Sequence, residues 1–349
     1  MEEDEIPHHY DDGNRAFLQA FMARGTMTFS QAQPILAAIF TAQEKIEHSR
    51  RPEGEEPEPT RPEQVTREDF ESYVSAASTA ISEFDMEIRS TIHQVSKERI
   101  YALVNTTSDP VTQLATLHSA EEIAFVRRVI DAMFDKYNTP RMEVLCIDGM
   151  QANKLRTAPR NDEENANGQG NAEGGEDGET QTQTQSAGGL KGLKSSEVEA
   201  VMRSMVEEGW FERSREGFYS LSARALMELR SWLIGEYNDA EAEAAGPGGW
   251  QRVKFCEACR EIVTVGQRCA ERDCPARLHD VCEEAFWRTR QGGLRRCPRC
   301  EREWDGRHFV GERAVTETEA YRRGRRRSGR GGRRSSLVEQ IMEDGEDGE

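Results

Sequence analysis

The fold of the C-terminal part of this chain is decided by residues 256–300, which read CEACREIVTVGQRCAERDCPARLHDVCEEAFWRTRQGGLRRCPRC. The segment is too short and too polar to hold a sizeable hydrophobic core, yet it contains seven of the eight cysteines of the chain. Two C-x-x-C pairs lie at its ends, and that spacing aims two thiolates at one ion. The predicted metal ligands are Cys256, Cys259, Cys269, Cys274, His279, Cys282, Cys297 and Cys300.

Eight ligands satisfy two tetrahedral Zn²⁺ ions with none left over. A closed shell of four ligands leaves no position for water or substrate, so both ions are expected to be structural and to supply much of the folding energy. The spacing alone leaves the pairing of the ligands open. Pairing in sequence order gives Cys256, Cys259, Cys269 and Cys274 to one ion and the other four to the second. Interleaved pairing joins Cys256 and Cys259 to His279 and Cys282, and Cys269 and Cys274 to Cys297 and Cys300.

The rest of the composition favours metal binding over disulfides. No run approaches the ~18 apolar residues that cross a bilayer, and the acidic N-terminus lacks the features of a secretory signal. We therefore expect a soluble intracellular protein without membrane contact, whose thiols stay reduced. The eighth cysteine, Cys146, lies in an apolar run and is interpreted as a small buried side chain.

Upstream of the zinc segment, the chain repeats one order of elements, in which helices precede a two-stranded hairpin. In the first copy, apolar residues recur at helical spacing over 14–48, Thr66 caps a third helix, and residues 86–104 form a hairpin. In the second copy, Ser119 begins a helix with a capping box, and a further helix and hairpin follow. This order is typical of winged-helix folds, which bind DNA in some proteins and protein partners in others.

The ligand order also carries a resemblance. Four cysteines, one histidine and three cysteines, with Cys297-Pro-Arg-Cys300 followed by Trp304, resemble the variant RING of the non-structural maintenance of chromosomes element 1 family. The resemblance extends upstream to about Ala16. It includes the stretches Ile100-Tyr-Ala-Leu-Val-Asn105, Glu208-Gly-Trp-Phe211 and Ser222-Ala-Arg-Ala-Leu226. It implies two winged-helix domains and a RING whose ligands pair in the interleaved manner.

Together, the element order and the resemblance predict an α+β multidomain fold. It consists of two tandem winged-helix domains followed by a zinc-binding variant RING domain, with disordered linkers and tails. The predicted boundaries are 1–13 (disordered), 14–108 (first winged-helix domain, with a loop insertion at 49–64), 118–245 (second winged-helix domain, with a disordered insertion at 157–189), 254–304 (RING) and 311–349 (disordered tail, with a basic stretch at 321–334).

The resemblance implies a nuclear subunit of the structural maintenance of chromosomes 5–6 complex, which acts in recombinational DNA repair. Its implied partners are a MAGE-type winged-helix subunit, a kleisin subunit and a ubiquitin-conjugating enzyme. A RING ligase forms no covalent intermediate and works by positioning the charged conjugating enzyme. By similarity to RING domains, the docking surface for that enzyme would include Ile262, Phe286 or Trp287, and Pro298.

Two residues predict that any ligase activity is weak and depends on a partner. Many active RINGs carry an aliphatic residue after the first cysteine and a cation after the last ligand, whereas this chain has Glu257 and Glu301. The first alternative is a non-catalytic zinc-stabilised scaffold in the same complex. The second is a PHD-type histone reader, although PHD fingers usually have an aromatic residue where this chain has Arg295.

Charge is distributed unevenly along a chain whose net charge is −18. The predicted helix 196–208 exposes four glutamates and only Arg203, which favours a protein partner over DNA phosphates. Residues 321–334, by contrast, are almost purely basic. For that stretch we consider a nuclear import signal, a contact with the DNA backbone, or a solvated tail.

Overall fold

The computed structural model describes residues 10–50, 57–106, 117–157, 192–238, 250–290, 295–327, 338 and 340–342. These residues form three successive modules, each with a three-stranded antiparallel sheet. The predicted combination of α and β structure is therefore confirmed. None of the helices in these ranges is long and apolar enough to pass through a membrane.

The first module combines three helices with a sheet in the order β1-β3-β2. Its elements are α1 Asp12–Met22, β1 Thr26–Thr28, α2 Phe29–Arg50, α3 Arg67–Ile81, β2 Met86–Ile92 and β3 Arg99–Asn105. Aromatic side chains fill its core. The fully buried Phe70 of α3 meets Tyr101 of β3 edge-on at 4.8 Å and Phe17 of α1 at 6.1 Å. Each such pair contributes about 0.5–1.5 kcal/mol beyond its burial.

Capping residues set two of the helix starts in this module. Thr66 accepts a hydrogen bond from the amide of Asp69, as predicted for the start of α3. Asp11 accepts from the amide of Asn14, and α1 therefore begins at Asp12, inside the segment 1–13 that the sequence predicts to be disordered. Strand β1 is absent from the sequence-based prediction. A three-residue strand with one buried side chain, Met27, gives no periodic signal.

The second module has a sheet in the order β4-β6-β5. Its elements are α4 Ala120–Asp131, β4 Ile147–Asp148, α5 Gly149–Lys154, α6 Ser195–Glu207, β5 Phe211–Arg213, β6 Phe218–Leu221, α7 Ala223–Glu228 and α8 Arg230–Tyr237. Helix α6 begins just after Lys194, whose amide donates to the Glu197 carboxylate at 2.7 Å. The predicted insertion at 157–189 lies outside the described residues, apart from residue 157.

The third module, which we call the zinc module, has a sheet in the order β8-β7-β9. Its elements are β7 Gly266–Arg268, β8 Arg277–Leu278, α9 Asp280–Arg288, β9 Phe309–Val310, α10 Arg313–Thr316 and α11 Glu319–Arg327. Strand β9 pairs with β7. The sheet therefore extends beyond residue 304, the predicted end of the domain.

The structure also corrects the prediction that residues 311–349 form a disordered tail. Residues 313–327 contain α10 and α11, and Val315 and Tyr321 are buried. Farther along, Val338, Ile341 and Met342 are buried as well. Scattered apolar side chains among arginines and glutamates give no helical period in the sequence, yet each is covered by the folded modules. Half of the predicted basic stretch, residues 328–334, lies outside the described residues.

The three modules pack on one another. The second module and the zinc module share one continuous apolar core. The first module joins the second where Ala102 and Val104 of β3 pack against Met227 of α7. The shared core holds the zinc module against the second module.

Two glycines differ in how closely another part of the main chain approaches them. Gly311 and Gly209 both have a positive φ, but a Cβ at Gly311 would lie 2.4 Å from the Thr264 carbonyl oxygen, whereas one at Gly209 would meet nothing within 4 Å. Gly209→Ala is expected to cost about 1–2 kcal/mol for the left-handed conformation. Gly311→Ala is expected to cost about 1–3 kcal/mol more, because the clash forces the main chain to move. Denaturant unfolding of both variants measures the difference, and equal losses would contradict the close approach.

Candidate metal centres

The two C-x-x-C pairs adopt the same turn. The carbonyl of Cys256 accepts from the amide of Arg260, and the carbonyl of Cys297 accepts from the amide of Glu301, both at 3.0 Å. Arg260 and Glu301 have φ values of +64° and +62°. Residues other than glycine rarely adopt a positive φ unless the surrounding structure holds them in it. The turn directs both thiols of each pair toward one point.

The remaining ligands are placed by the sheet and by α9. Cys269 directly follows β7, His279 directly follows β8, and Cys282 lies in the first turn of α9. Cys274 lies in the segment between β7 and β8. The β7–β8 pairing thus fixes the separation between the two groups of ligands.

The structure groups the eight side chains in the interleaved manner. Within each group, all ligand atoms lie within 4.8 Å of one another. The first tetrad consists of Cys256, Cys259, His279 and Cys282, and the second of Cys269, Cys274, Cys297 and Cys300. Pairs from the two tetrads alternate along the chain, so each tetrad joins two segments that are separated by a pair belonging to the other.

His279 is oriented to ligate through one particular nitrogen. Its Nε2 lies 3.1 Å from the carbonyl oxygen of Ile262, a group that can only accept, so Nε2 carries the proton. Nδ1 is then left with a free electron pair and faces the Cys259 sulfur at 3.3 Å. In zinc sites, a ligating histidine usually donates a hydrogen bond from the ring nitrogen that does not bind the metal.

The chemistry of the donor set fits zinc. Burial raises the pKa of the Cys269 thiol to about 12, and burial also raises the pKa of Cys274, so these groups become thiolates at neutral pH only beside a bound cation. Four thiolates around one Zn²⁺ carry net negative charge. The Arg277 guanidinium donates to the main-chain carbonyl of Cys274 at 2.7 Å and so lies beside the second tetrad. The two tetrads can therefore hold two zinc ions, as predicted.

A buried charge cluster joins the second module to the zinc module. Glu143 is 2% exposed and pairs with Arg277, Lys254 and Arg268, which are also buried. Its carboxylate accepts from the Arg277 Nε at 2.7 Å and from the Lys254 Nζ at 3.3 Å. This cluster is absent from the sequence-based prediction. In the sequence, the cluster is indicated only by a single acidic residue inside the apolar run 142–147.

The pKa values of this cluster reflect one carboxylate among three cations. Burial would raise the pKa of the Glu143 carboxyl, but Arg277, Lys254 and Arg268 outweigh burial and lower that pKa from 4.5 to about 2. Burial lowers the pKa of Lys254 to about 7, and the attraction of Glu143 only partly opposes it. The surplus positive charge lies beside the second tetrad, where bound thiolates would balance it.

The residues predicted to dock a conjugating enzyme differ in accessibility. Trp287 and Pro298 are half-buried, and so is Phe286, whose ring stacks edge-on against Trp287 at 4.9 Å. Ile262, however, is only 3% exposed. The expectation that Ile262 forms part of an accessible surface is therefore not met in this arrangement, because the loop that carries it is packed where the three modules meet.

These interleaved tetrads in a small module define a zinc-binding protein of the RING-like class. A family model described as a RING-like domain matches residues 256–300. A second family model, described as the Nse1 non-SMC component of the SMC5-6 complex, matches residues 14–229. This chain therefore belongs to the Nse1 family.

Individual relatives agree with this assignment. The chain is 22% identical over 243 residues to the non-structural maintenance of chromosomes element 1 homolog of Bos taurus, covering 69% of this chain and 71% of the relative. It is 24% identical over 214 residues to element 1 of Schizosaccharomyces pombe, covering 61% and 69%. Its fold is similar to that of a solved chain described as part of an Nse1-Nse3-Nse4 complex, with a TM-score of 0.57 and 18% identity over 87% of this chain and 99% of the other.

Proposed function

We propose that this protein is a RING-type ubiquitin ligase subunit of the structural maintenance of chromosomes 5–6 complex, acting in DNA repair and recombination in the nucleus. The observation that carries the proposal is the pair of closed tetrads, which fix α9 and the second C-x-x-C turn so that Trp287 and Pro298 are partly exposed. Because both shells are closed, catalysis rests on holding a charged conjugating enzyme in a reactive orientation.

The proposed partners are a MAGE-type subunit and a kleisin subunit, which correspond to Nse3 and Nse4 in the description of the similar structure. Both α/β modules are proposed to be winged helices, which the combination of helices with a sheet in the order β1-β3-β2 or β4-β6-β5 supports. The outward face of α6 carries exposed Glu197, Glu199 and Glu207. That face suits a basic surface of a protein partner better than DNA.

The competing proposal is a non-catalytic scaffold in the same complex. Two observations favour it: Glu301, exposed directly after the last ligand, is an acid at a position where active RINGs carry a cation, and Ile262 is covered. The RING-like match over 256–300 argues against a PHD-type reader.

Pro298→Ala tests the ligase proposal. The change is expected to slow the discharge of ubiquitin from a charged conjugating enzyme at least about tenfold, which corresponds to ~1.4 kcal/mol of lost transition-state stabilisation. The assay uses the full chain with and without the MAGE-type and kleisin partners. Glu284→Ala, at an exposed position of α9, is the matched control and should leave the rate unchanged. If no discharge occurs in either condition while the complex assembles, the scaffold proposal replaces the ligase.

The basic stretch is proposed to be a nuclear import signal, with DNA contact as the second candidate. Deleting 321–334 would remove Tyr321, which is 3% exposed and donates to Glu216 at 3.3 Å, and so would disturb the fold. Replacing the arginines of 325–334 with glutamine is therefore the cleaner change. Loss of nuclear accumulation is the expected result in cells, and unchanged accumulation would remove the import proposal.

A further inference from the structure

The tip of the β2–β3 hairpin, residues 93–98, reaches from the first module to the zinc module. The Gln94 side-chain Nε2 donates to the carbonyl oxygen of Ile262 at 3.0 Å. The Gln94 Oε1 accepts from the amides of Thr264 at 3.1 Å and Val265 at 2.8 Å. One side-chain amide thus satisfies three main-chain groups of loop 262–265, as a neighbouring strand would.

A second contact fastens the same tip to the second module. The Nδ1 of His93 accepts from the amide of Ser96 at 2.9 Å, so in the neutral ring Nε2 carries the proton. Nε2 donates to the Glu212 carboxylate of β5 at 2.9 Å. His93 and Gln94, which are adjacent in the tip, therefore bind the second module and the zinc module, respectively.

Loop 262–265 contacts a ligand of the first tetrad. The Ile262 carbonyl oxygen that accepts from Gln94 also accepts from His279. The Ile262 side chain, which by similarity to RING domains belongs on the docking surface, is 3% exposed and is part of the apolar core shared with the second module, while the tip covers the main chain of the same loop. The tip thus lies on the part of the zinc module that a conjugating enzyme would need.

Few apolar contacts hold the tip of the hairpin. A cavity of about 990 Å³ lies where the three modules meet, lined in part by Ile92, Val95, Glu212, Ile262 and Val281. The tip is held by hydrogen bonds of His93 and Gln94, and none of residues 93–98 belongs to an apolar core. Val95, at the end of the tip, is 66% exposed. Segments with few buried apolar contacts open locally at low free energy.

We propose that the hairpin tip is a latch that closes loop 262–265 against a ubiquitin-conjugating enzyme, and that release of Gln94 frees the main chain of this loop for binding. This inference rests on the proposed ligase function and describes how that function is regulated. A ligand shifts such an equilibrium only by its preference for the open form. The conjugating enzyme therefore binds more weakly, by the cost of opening, than it would to an unlatched protein.

A different role for Gln94 would give the opposite result. If its amide positioned the loop for docking, removing the amide would weaken the binding of the conjugating enzyme. If it acts as a latch, removing the amide strengthens binding. The sign of one measured change therefore separates the two roles.

The test compares the full chain with Gln94→Ala and with the neighbouring exposed control Val95→Ala. The probe is an uncharged, broad-specificity ubiquitin-conjugating enzyme, and the readouts are its affinity and the hydrogen exchange of loop 262–265. For Gln94→Ala we expect faster exchange at the Thr264 and Val265 amides and about tenfold tighter binding, equivalent to ~1.4 kcal/mol. For Val95→Ala we expect neither change.

Unchanged or weaker affinity in Gln94→Ala, undetectable binding by both proteins, or exchange that does not accelerate would each overturn the latch. Ubiquitin discharge is measured separately on the same samples. Tighter binding without any discharge would leave the latch standing and remove the ligase proposal. Tighter binding with faster discharge would support both.

Discussion

Glu143→Gln is expected to lower the free energy of unfolding by about 3–5 kcal/mol, because it leaves buried cations without their counter-charge. The carboxylate is 2% exposed, and Arg277, which it neutralises, is fully buried. Glutamine keeps the size of the side chain but offers one acceptor in place of two charged oxygens. The loss should appear in urea unfolding of the full chain as a lower midpoint with an unchanged slope.

The pH dependence of this contribution has a definite sign. The folded pKa of Glu143 is depressed from 4.5 to about 2. The stability that it contributes is therefore complete above about pH 4.5 and is lost as the pH falls toward 2. Glu143→Gln should remove this part of the acid sensitivity, so the two proteins should converge in stability at low pH.

A matched control lies in the same interface. Glu261 of the zinc module pairs with Arg230 of α8, but their side chains are 47% and 33% exposed. Glu261→Gln is expected to cost less than about 1 kcal/mol, because exposed pairs are screened by water. If the two variants lost equal stability, burial would not be the reason for the importance of Glu143.

Local features of this fold are readable from the sequence, and contacts between distant segments are not. Thr66 and Ser119 cap their helices as predicted, because a capping box is complete within four residues. The two C-x-x-C pairs likewise carry their geometry within a short turn. By contrast, Ile147–Asp148 forms a strand only because β6 lies beside it.

The same distinction applies to the candidate site. The eight ligands follow from residue type and spacing. Spacing alone, however, allows two groupings of them, and the pairing of β7 with β8 decides which one forms. The Ile262 side chain belongs to the apolar core that the second module shares with the zinc module, and its carbonyl oxygen is bound by Gln94, a residue more than 160 positions earlier in the chain. Nothing near Ile262 in the sequence signals that contact. The sequence around Ile262 favoured a docking role, but contacts with distant segments bury this side chain.

Cys256→Ser is expected to leave at most one zinc ion per chain, measured by elemental analysis of the purified protein. Cys256 is fully buried and belongs to the first tetrad, and three remaining ligands with a weak hydroxyl hold zinc poorly. Cys146→Ser is the matched control. Its thiol is equally buried at 2% exposure but lies outside both tetrads, so two zinc ions should be retained despite a modest loss of stability.

The ion that remains in Cys256→Ser also reports the pairing. Under the interleaved grouping it is held by Cys269, Cys274, Cys297 and Cys300, so every ligand is a thiolate. Pairing in sequence order would instead leave His279 as a ligand of the remaining ion. Cobalt substitution distinguishes the two, because its thiolate charge-transfer absorption increases with the number of bound thiolates. A histidine-containing site in this variant would contradict the grouping seen here, and with it the placement of α9 that the proposed function requires.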